Sequence, residues 1–158
     1  TLVQRLYAMD NPHNWTGYDS LCWGISASDG PTEKYNFDDR IFLGYAGRGT
    51  SGPDFNYFDD GTIAPYASIS SIVFAPEIVL PTIKNFNEKY TEGLWKEYGY
   101  VDSFNPTINW FNKEYIGIDQ GPLLLMIENF RTGLVWNYVM KDQIIQKGLN
   151  SLGFEYLK

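Results

Sequence analysis

Residues 105–136 constrain the fold most, because a polar, aromatic stretch there runs directly into a strongly apolar one. Apolar side chains fill positions 123–127 and return at 134–136, a spacing typical of a helix that packs against other elements. The helix is expected to begin near Gln120 or Pro122, since proline is favoured in a first turn, and to bend near Gly133. Asp119 lies at the junction, so the segment predicts a carboxyl group at the mouth of a buried helix.

Helical patterns dominate the rest of the 158-residue chain. They cover residues 2–9, 15–23, 64–72, 75–90 and 141–152, in addition to 120–138. Two stretches interrupt them: residues 24–61, rich in Gly, Asp, Ser and Pro, with short strands expected near 41–45, and an aromatic loop at 93–104. The helix pairs on either side of this loop match the helix–turn–helix unit of α/α architectures. We therefore predict one mainly all-α domain of helical hairpins and long ordered loops, with room for a short β-hairpin.

Composition excludes several classes of partner. The net charge is −7 and no basic patch is present, so nothing neutralises the phosphates of a nucleic acid or binds an anionic membrane surface. The longest apolar run is far too short to cross a bilayer, so no membrane insertion is expected. One cysteine, Cys22, and one histidine, His13, supply neither an intrachain disulfide nor a structural zinc site, and no cofactor motif is present. Cys22 is expected to be buried and unreactive.

Flat rings and side-chain amides precede Asp119 and suit a carbohydrate ligand. Aromatic rings stack on sugar faces, while amides form hydrogen bonds with hydroxyl groups. The residues concerned are Asn105, Asn109, Trp110, Asn112 and Tyr115. A partly buried carboxyl group at Asp119 suits acid–base chemistry, because packing fixes its position and desolvation adjusts its pKa. The alternative is that Asp119 only caps the helix N-terminus, which contributes about 1 kcal/mol.

Six motifs, in order along the chain, resemble those of one known family. They are Cys22-Trp23-Gly24-Ile25-Ser26-Ala27-Ser28-Asp29-Gly30-Pro31, Asp60-Gly61-Thr62-Ile63-Ala64-Pro65-Tyr66-Ala67, Phe74-Ala75-Pro76-Glu77, Trp95-Lys96-Glu97-Tyr98-Gly99, Asp102-Ser103-Phe104-Asn105, and Ile118-Asp119-Gln120-Gly121-Pro122 running on to Glu128-Asn129. Together they resemble the bacterial "putative glucoamylase" family, which includes endo-β-1,2-glucanases built as (α/α)6 toroids. The resemblance implies that residues 1–158 form a single partial catalytic domain, the C-terminal half of such a toroid, whose partner is an N-terminal half that we expect upstream.

The resemblance further implies an inverting glycoside hydrolase that acts on a β-linked glucan, first of all β-1,2-glucan, without a cofactor. It implies a periplasmic or extracellular location, and a proton donor in the N-terminal half. Inverting enzymes hold two carboxyl groups about 6.5–9.5 Å apart, which leaves room for the attacking water. Asp119 is the expected partner that acts on this water, and amides at the helix N-terminus are expected to keep it ionised.

The expected sugar-binding residues combine the polar segment before Asp119 with residues from the family motifs. They are Trp23, Asp29, Asp60, Asn109, Trp110, Tyr115 and Gln120. Trp23 equally fits a ring of the core, Asp29 a turn, and Asp60 a turn or a helix cap. Two other outcomes stay open: a non-catalytic fragment that binds carbohydrate in the same loops, or an inactive piece whose apolar helical flank is left uncovered.

Overall fold

The computed structural model describes residues 1–32, 38–50 and 58–154, and these ranges are mainly helical, as expected. The helices are α1 (Leu2–Asp10), α2 (Pro65–Ile69), α3 (Pro76–Lys89), α4 (Thr91–Leu94), α5 (Gly117–Thr132), α6 (Leu134–Val139) and α7 (Gln143–Ser151), with 3-10 turns at Ser70–Val73 and Pro106–Ile108. Strands β1 (Trp95–Lys96) and β2 (Gly99–Tyr100) pair in antiparallel fashion, as do β3 (Phe104–Asn105) and β4 (Trp110–Phe111). The expected mainly helical class is therefore confirmed.

Residues that start or stop helices explain the boundaries that the sequence predicts well. Asn11 ends α1 in the left-handed conformation, with φ 45°, and its N–H donates to the Tyr7 carbonyl. Proline begins both α2 and α3, where its missing N–H costs no helical hydrogen bond. Asp142 caps α7, because its carboxylate accepts from the N–H groups of Ile144 and Ile145.

Three local predictions are wrong. Residues 15–23 form turns instead of a helix, because Gly17 adopts φ +92° and lies so close to Pro106 that a Cβ atom would come within 2.7 Å of its ring. Residues 41–45 form no strand: Gly44 donates its N–H to the Pro31 carbonyl at 2.8 Å, and an isolated bridge joins the next residue, Ala46, to Ser28. Residues 93–104 hold the β1–β2 hairpin in place of a plain loop.

The core lies between α3 and the β3–β4 hairpin. Phe86 of α3 contacts Phe104 edge to face, with ring centroids 5.6 Å apart, and Phe104 stacks on Phe111 at 5.9 Å. Trp23 is fully buried in the same cluster. Cys22 beside it is also fully buried, and burial raises the pKa of its thiol to about 12, so the expectation of a buried cysteine is confirmed.

Helix α5 packs against α2 and against the 3-10 turn that follows α2. Helices α5, α6 and α7 also have apolar side chains that are exposed to solvent, which together form an apolar face. Gly133, with φ 71°, separates α5 from α6, which confirms the expected bend. The exposed apolar side chains include Ile118, Leu124, Leu125, Phe130, Leu134, Trp136, Val139, Ile144 and Ile145. Within the described ranges, no element covers this face, and no helix is long and apolar enough to cross a membrane.

Candidate active site

Asp119 lies in the first turn of α5, and only 4% of the residue is exposed. The helix begins at Gly117, earlier than expected, so Ile116 occupies the N-cap position and accepts from the N–H of Asp119 at 3.0 Å. Among the described residues, no backbone N–H donates to the Asp119 carboxyl group. The alternative that Asp119 caps the N-terminus of α5 is therefore wrong.

Asp102, between β2 and β3, supplies a second carboxyl group and is 1% exposed. Its Oδ2 accepts from the N–H of Asp29 at 2.7 Å and from Nδ2 of Asn112 at 3.2 Å. The hydroxyl group of Ser103 lies 3.4 Å from the same oxygen and donates to the Asp29 carbonyl at 2.6 Å. Asp102 is thus held by several donors on one oxygen.

The carboxyl groups of Asp102 and Asp119 interact directly in the interior. Oδ1 of Asp102 and Oδ2 of Asp119 are both buried, and neither accepts a hydrogen bond from a donor in the described part of the chain. A proton between the two groups satisfies both oxygens, as in other carboxyl pairs. Because Oδ2 of Asp102 already accepts from donors, we assign this proton to Asp119.

The electrostatics of the pair contradict the expectation that Asp119 stays ionised. Burial, followed by the hydrogen bond with Asp102 and the charges of Asp102 and Asp29, raises the pKa of Asp119 from 3.8 to about 7. Desolvation and like charge therefore outweigh the favourable amides of the helix N-terminus. A carboxyl group with a pKa near neutrality gains and loses protons readily at neutral pH, which acid–base catalysis requires.

Asn112 ties the predicted residue Asp29 to this pair. Its Nδ2 donates to Oδ2 of Asp29 and to Oδ2 of Asp102, at 3.2 Å in each case. Its Oδ1 accepts from the N–H of Lys113 at 2.7 Å, so the amide is fixed in orientation. Asn112 therefore holds carboxylates and is not a free sugar contact, whereas half-buried Asp29 lies beside Asp119 as a site residue should.

Tyr66 is a further residue of this site that the sequence did not single out. Its hydroxyl group donates to the Ala27 carbonyl at 2.9 Å and lies 2.7 Å from the hydroxyl group of Ser26. Burial, together with the charges of Asp119 and Asp102, raises the pKa of Tyr66. Both Asp102 and Tyr66 lie inside the family motifs, and that position is the only signal that could have found them.

Exposed aromatic rings lie beside Gln120, one residue after Asp119. Tyr98 on the β1–β2 hairpin is 71% exposed, and its ring contacts half-buried Tyr115 at 5.4 Å. Trp95 on the same hairpin is 52% exposed. Nε2 of Gln120 donates to the Tyr100 carbonyl at 2.7 Å, which leaves its Oε1 for a ligand. Tyr115 and Gln120 thus share one surface, and their role in sugar binding stays a prediction.

Asn109 and Trp110 lie at a different place, around a cavity of about 410 Å³. The cavity is lined by Gly93, Lys96, Ile108, Asn109, Trp110, Phe111, Asn112 and Lys113. Asn109 is exposed in the left-handed conformation and Trp110 is half-buried. Asn112 lines this cavity and also contacts Asp102, so it is the link between the cavity and the carboxyl pair.

Two predicted sugar contacts, Trp23 and Asp60, are wrong. Trp23 is fully buried, and its Nε1 donates to Oγ1 of Thr82 at 2.9 Å, so the alternative of a core ring is correct. Asp60 is fully buried in a bidentate ion pair with Arg48, at 2.7 and 2.8 Å. Burial alone would raise the pKa of Asp60, yet the Arg48 guanidinium holds it below its usual value. Neither side chain can reach a ligand.

Asn105, another residue expected to suit sugar, is also fully buried. Its Nδ2 donates to the Asp60 carbonyl at 2.8 Å, so it supports the fold. Across residues 1–32, 38–50 and 58–154, no cluster of His, Cys, Asp or Glu side chains has an arrangement that could hold a metal ion.

Comparisons with known proteins agree on one family. The family model described as "Putative glucoamylase" matches residues 1–143. The exo β-1,2-glucooligosaccharide sophorohydrolase (non-reducing end) of Parabacteroides distasonis is 31% identical over 150 residues, which are 95% of this chain and 19% of that protein.

Solved structures show the same relationship. The endo-β-1,2-glucanase of Chitinophaga pinensis, in complex with sophorotriose and glucose, is 32% identical with a TM-score of 0.80, over 96% of this chain and 32% of its own. A "putative glucoamylase" of Bacteroides fragilis is 39% identical with a TM-score of 0.80, over 99% of this chain and 33% of its own. The chain therefore spans between about a fifth and a third of these relatives. The family model covers residues 1–143, which include both carboxyl groups of the pair. The chain therefore belongs to the glucoamylase-like family.

Proposed function

We propose that this chain is part of an inverting glycoside hydrolase that acts on β-1,2-glucan, with Asp119 as the general base. The observation that carries the proposal is the buried carboxyl pair, in which Asp119 has a pKa near neutrality and an oxygen without a donor. Two similar proteins, from Parabacteroides distasonis and Chitinophaga pinensis, are named as hydrolases of β-1,2-linked glucans, which supports the substrate class.

The geometry separates the role of Asp119 from that of Asp102. Carboxyl groups in hydrogen-bond contact are closer than the roughly 5–5.5 Å of a retaining pair and far closer than the 6.5–9.5 Å of an inverting pair. Asp102 therefore cannot be the proton donor that works with Asp119. Its role in the proposal is to position the Asp119 carboxyl group and to set its pKa.

The proposed reaction begins when ionised Asp119 takes a proton from a water molecule. The water oxygen attacks the anomeric carbon, the bond to the glycosidic oxygen breaks, and that oxygen leaves with a proton from a second carboxylic acid. We expect this donor in the remainder of a longer chain. That remainder is also expected to complete an (α/α)6 toroid around α1–α7, in a periplasmic or extracellular protein.

Sugar residues are proposed to contact the surface around Asp119. Tyr98 and Tyr115 offer ring edges and faces, and Gln120 offers Oε1 as an acceptor for a hydroxyl group. Asp29, held beside the pair by Asn112, offers a carboxylate to a further hydroxyl group. Asn109 and Trp110 would extend binding to the neighbouring cavity.

Turnover of β-1,2-glucan by the full-length protein tests the proposal. Asp119→Asn should lower kcat by about 10²- to 10⁴-fold, the usual contribution of a positioned acid or base. Asp142→Asn is the matched control. Position 142 is exposed, and Asn caps a helix such as α7 about as well as Asp does. Unchanged turnover in the Asp119 variant would remove the assigned role. The first product should have the α configuration at its new reducing end, and a β product would contradict inversion.

The alternative is a carbohydrate-binding protein that does not cleave its ligand. The observation in its favour is the pair of exposed rings at Trp95 and Tyr98, with half-buried Tyr115 beside Tyr98, because such rings need no proton donor to hold a sugar. Affinity electrophoresis in gels that contain β-1,2-glucan distinguishes the two functions. Retardation of the full-length protein without release of product would favour binding alone.

A further inference from the structure

A second polar cavity, of about 330 Å³, lies among the loops that connect α1 to α2. It is lined by His13, Trp15, Asp38, Asp39, Arg40, Ile41 and Asp59. None of the residues around Asp119 lines it. The volume falls at the lower end of the range of small-ligand pockets, which suits one small molecule.

Buried polar atoms without partners are concentrated at this cavity. Nε2 of His13, Nε1 of Trp15 and Nη1 of Arg40 are buried and accept or donate no hydrogen bond within the protein. Of seven such side-chain atoms in the described part of the chain, three lie here and two belong to the Asp102–Asp119 pair. Because buried polar groups are nearly always paired in native proteins, these three atoms point to a ligand.

The indole ring of Trp15 is fixed so that its N–H group stays in place. The Arg40 guanidinium lies 4.3 Å above the ring, and Phe42 contacts it at 6.2 Å. On a third side Gly61 packs so closely that a Cβ atom there would lie 2.7 Å from the ring. Trp15 is 5% exposed, so its ring is almost completely enclosed by these neighbours. A fixed, unpaired donor of this kind is pre-organised for an acceptor on a ligand.

The charges around the cavity select the kind of ligand. Asp38, Asp39 and Asp59 place three carboxyl groups in its lining, against one guanidinium group at Arg40, so an anion is disfavoured. Both oxygens of Asp59 already accept hydrogen bonds, Oδ1 from Tyr18 at 2.7 Å and Oδ2 from Tyr7 at 2.9 Å. The carboxylates open to a ligand are therefore those of Asp38 and Asp39, which are exposed. A suitable ligand must therefore accept from Trp15 and Arg40 and donate to carboxylates. A neutral molecule with several hydroxyl groups does both, because each hydroxyl group can accept and donate.

We propose that this cavity binds one neutral glucosyl residue through its hydroxyl groups, at a second saccharide site separate from Asp119. The choice of glucose as the sugar rests on the proposed function, whereas the polyhydroxyl class rests on the cavity alone. Hydroxyl oxygens of the sugar accept from Nε1 of Trp15 and Nη1 of Arg40. Such a site would hold a saccharide without taking part in the chemistry.

Nuclear magnetic resonance of the full-length protein with ¹⁵N-labelled tryptophan tests this site. The probe is glucose, which cannot be hydrolysed, and the expected result is a saturable shift of the Trp15 indole signal. Trp15→Phe assigns the signal by removing it, and this variant should fold because the lost N–H has no partner in the chain. Trp23→Phe is the matched control, since its indole N–H is paired with Thr82 and its signal should not report binding.

Affinity measurements on the same protein complete the test. Arg40→Gln should weaken glucose binding, followed at the Trp15 signal, by about tenfold, the effect of one buried charged donor. A Trp15 signal that does not move at saturating glucose, or that moves with sulfate but not glucose, would overturn the proposal. Turnover of β-1,2-glucan is measured separately, so a glucose response that is absent from the unsubstituted protein, with its turnover intact, refutes this site and leaves the role of Asp119 standing.

Discussion

Replacing Asp102 by Asn should change the pKa of Asp119 without removing the groups that hold the loop. The Asn oxygen can still accept from the N–H of Asp29, and its Nδ2 can donate to the ionised Asp119 carboxylate. The rise in the pKa of Asp119 from 3.8 to about 7 corresponds to about 4 kcal/mol against the ionised form, because a tenfold change in proton affinity is about 1.4 kcal/mol. Loss of the Asp102 charge removes part of this free-energy cost of ionising Asp119, while burial and the charge of Asp29 maintain the remainder.

The assay is the pH dependence of kcat/KM on β-1,2-glucan. Because a general base must be ionised, activity is lost as pH falls through the pKa of Asp119, and Asp102→Asn should move this acidic limb to lower pH by about 1 to 2 pH units. Asp142→Asn should leave both limbs in place. An acidic limb that stays where it is in Asp102→Asn would refute the pairing, and movement of the basic limb instead would identify Asp119 as a proton donor.

Three further predictions concern stability and association. Asp119→Asn should raise the free energy of unfolding in urea at about pH 8 but not at about pH 4, because the folded-state pKa of about 7 lies above the unfolded-state value and the fold loses stability as pH rises between them. An equal effect at both pH values would count against the raised pKa. Arg48→Met should lower the free energy of unfolding by about 3–5 kcal/mol because Asp60 is left buried without its partner, whereas Arg131→Ala, which breaks the exposed pair with Glu128, should cost about 0–1 kcal/mol; similar losses would show that burial of the Asp60 pair matters little. A polypeptide of residues 1–158 alone should self-associate through the apolar face of α5–α7 in analytical ultracentrifugation, and a monomer at high concentration would contradict this reading of the face.

Local signals were enough for most helices and failed where distant contacts decide the backbone. Pro65, Pro76 and Asp142 set helix starts through their own chemistry, which a sequence displays directly. The turns at 15–23 depend on Gly17 packing against Pro106, a contact across almost ninety positions that no periodicity reveals. The same limit explains why the sequence predicts loops where the two β-hairpins, with two residues per strand, form.

The candidate site divides in the same way. Asp119 stands out because a lone carboxyl group precedes an apolar helix, and a local pattern can show that. Asp102 does not stand out, since its importance comes only from its burial against Asp119 and from Asn112. The prediction for Asp60 is wrong for the converse reason: its partner Arg48 lies in a Gly-rich segment with no recognisable pattern, so the sequence does not show that Asp60 belongs to a buried ion pair.

The most direct test of the role of Asp119 compares two substrates of different leaving-group quality in the Asp119→Asn variant. An aryl β-sophoroside, whose phenolate leaves without help, needs no proton donor but still needs a base for water. We predict that kcat falls by about 10²- to 10⁴-fold on sophorotriose and by a similar factor on the aryl substrate. Full activity on the aryl substrate with loss on sophorotriose would contradict the account, because it would make Asp119 the donor and leave the water without its base.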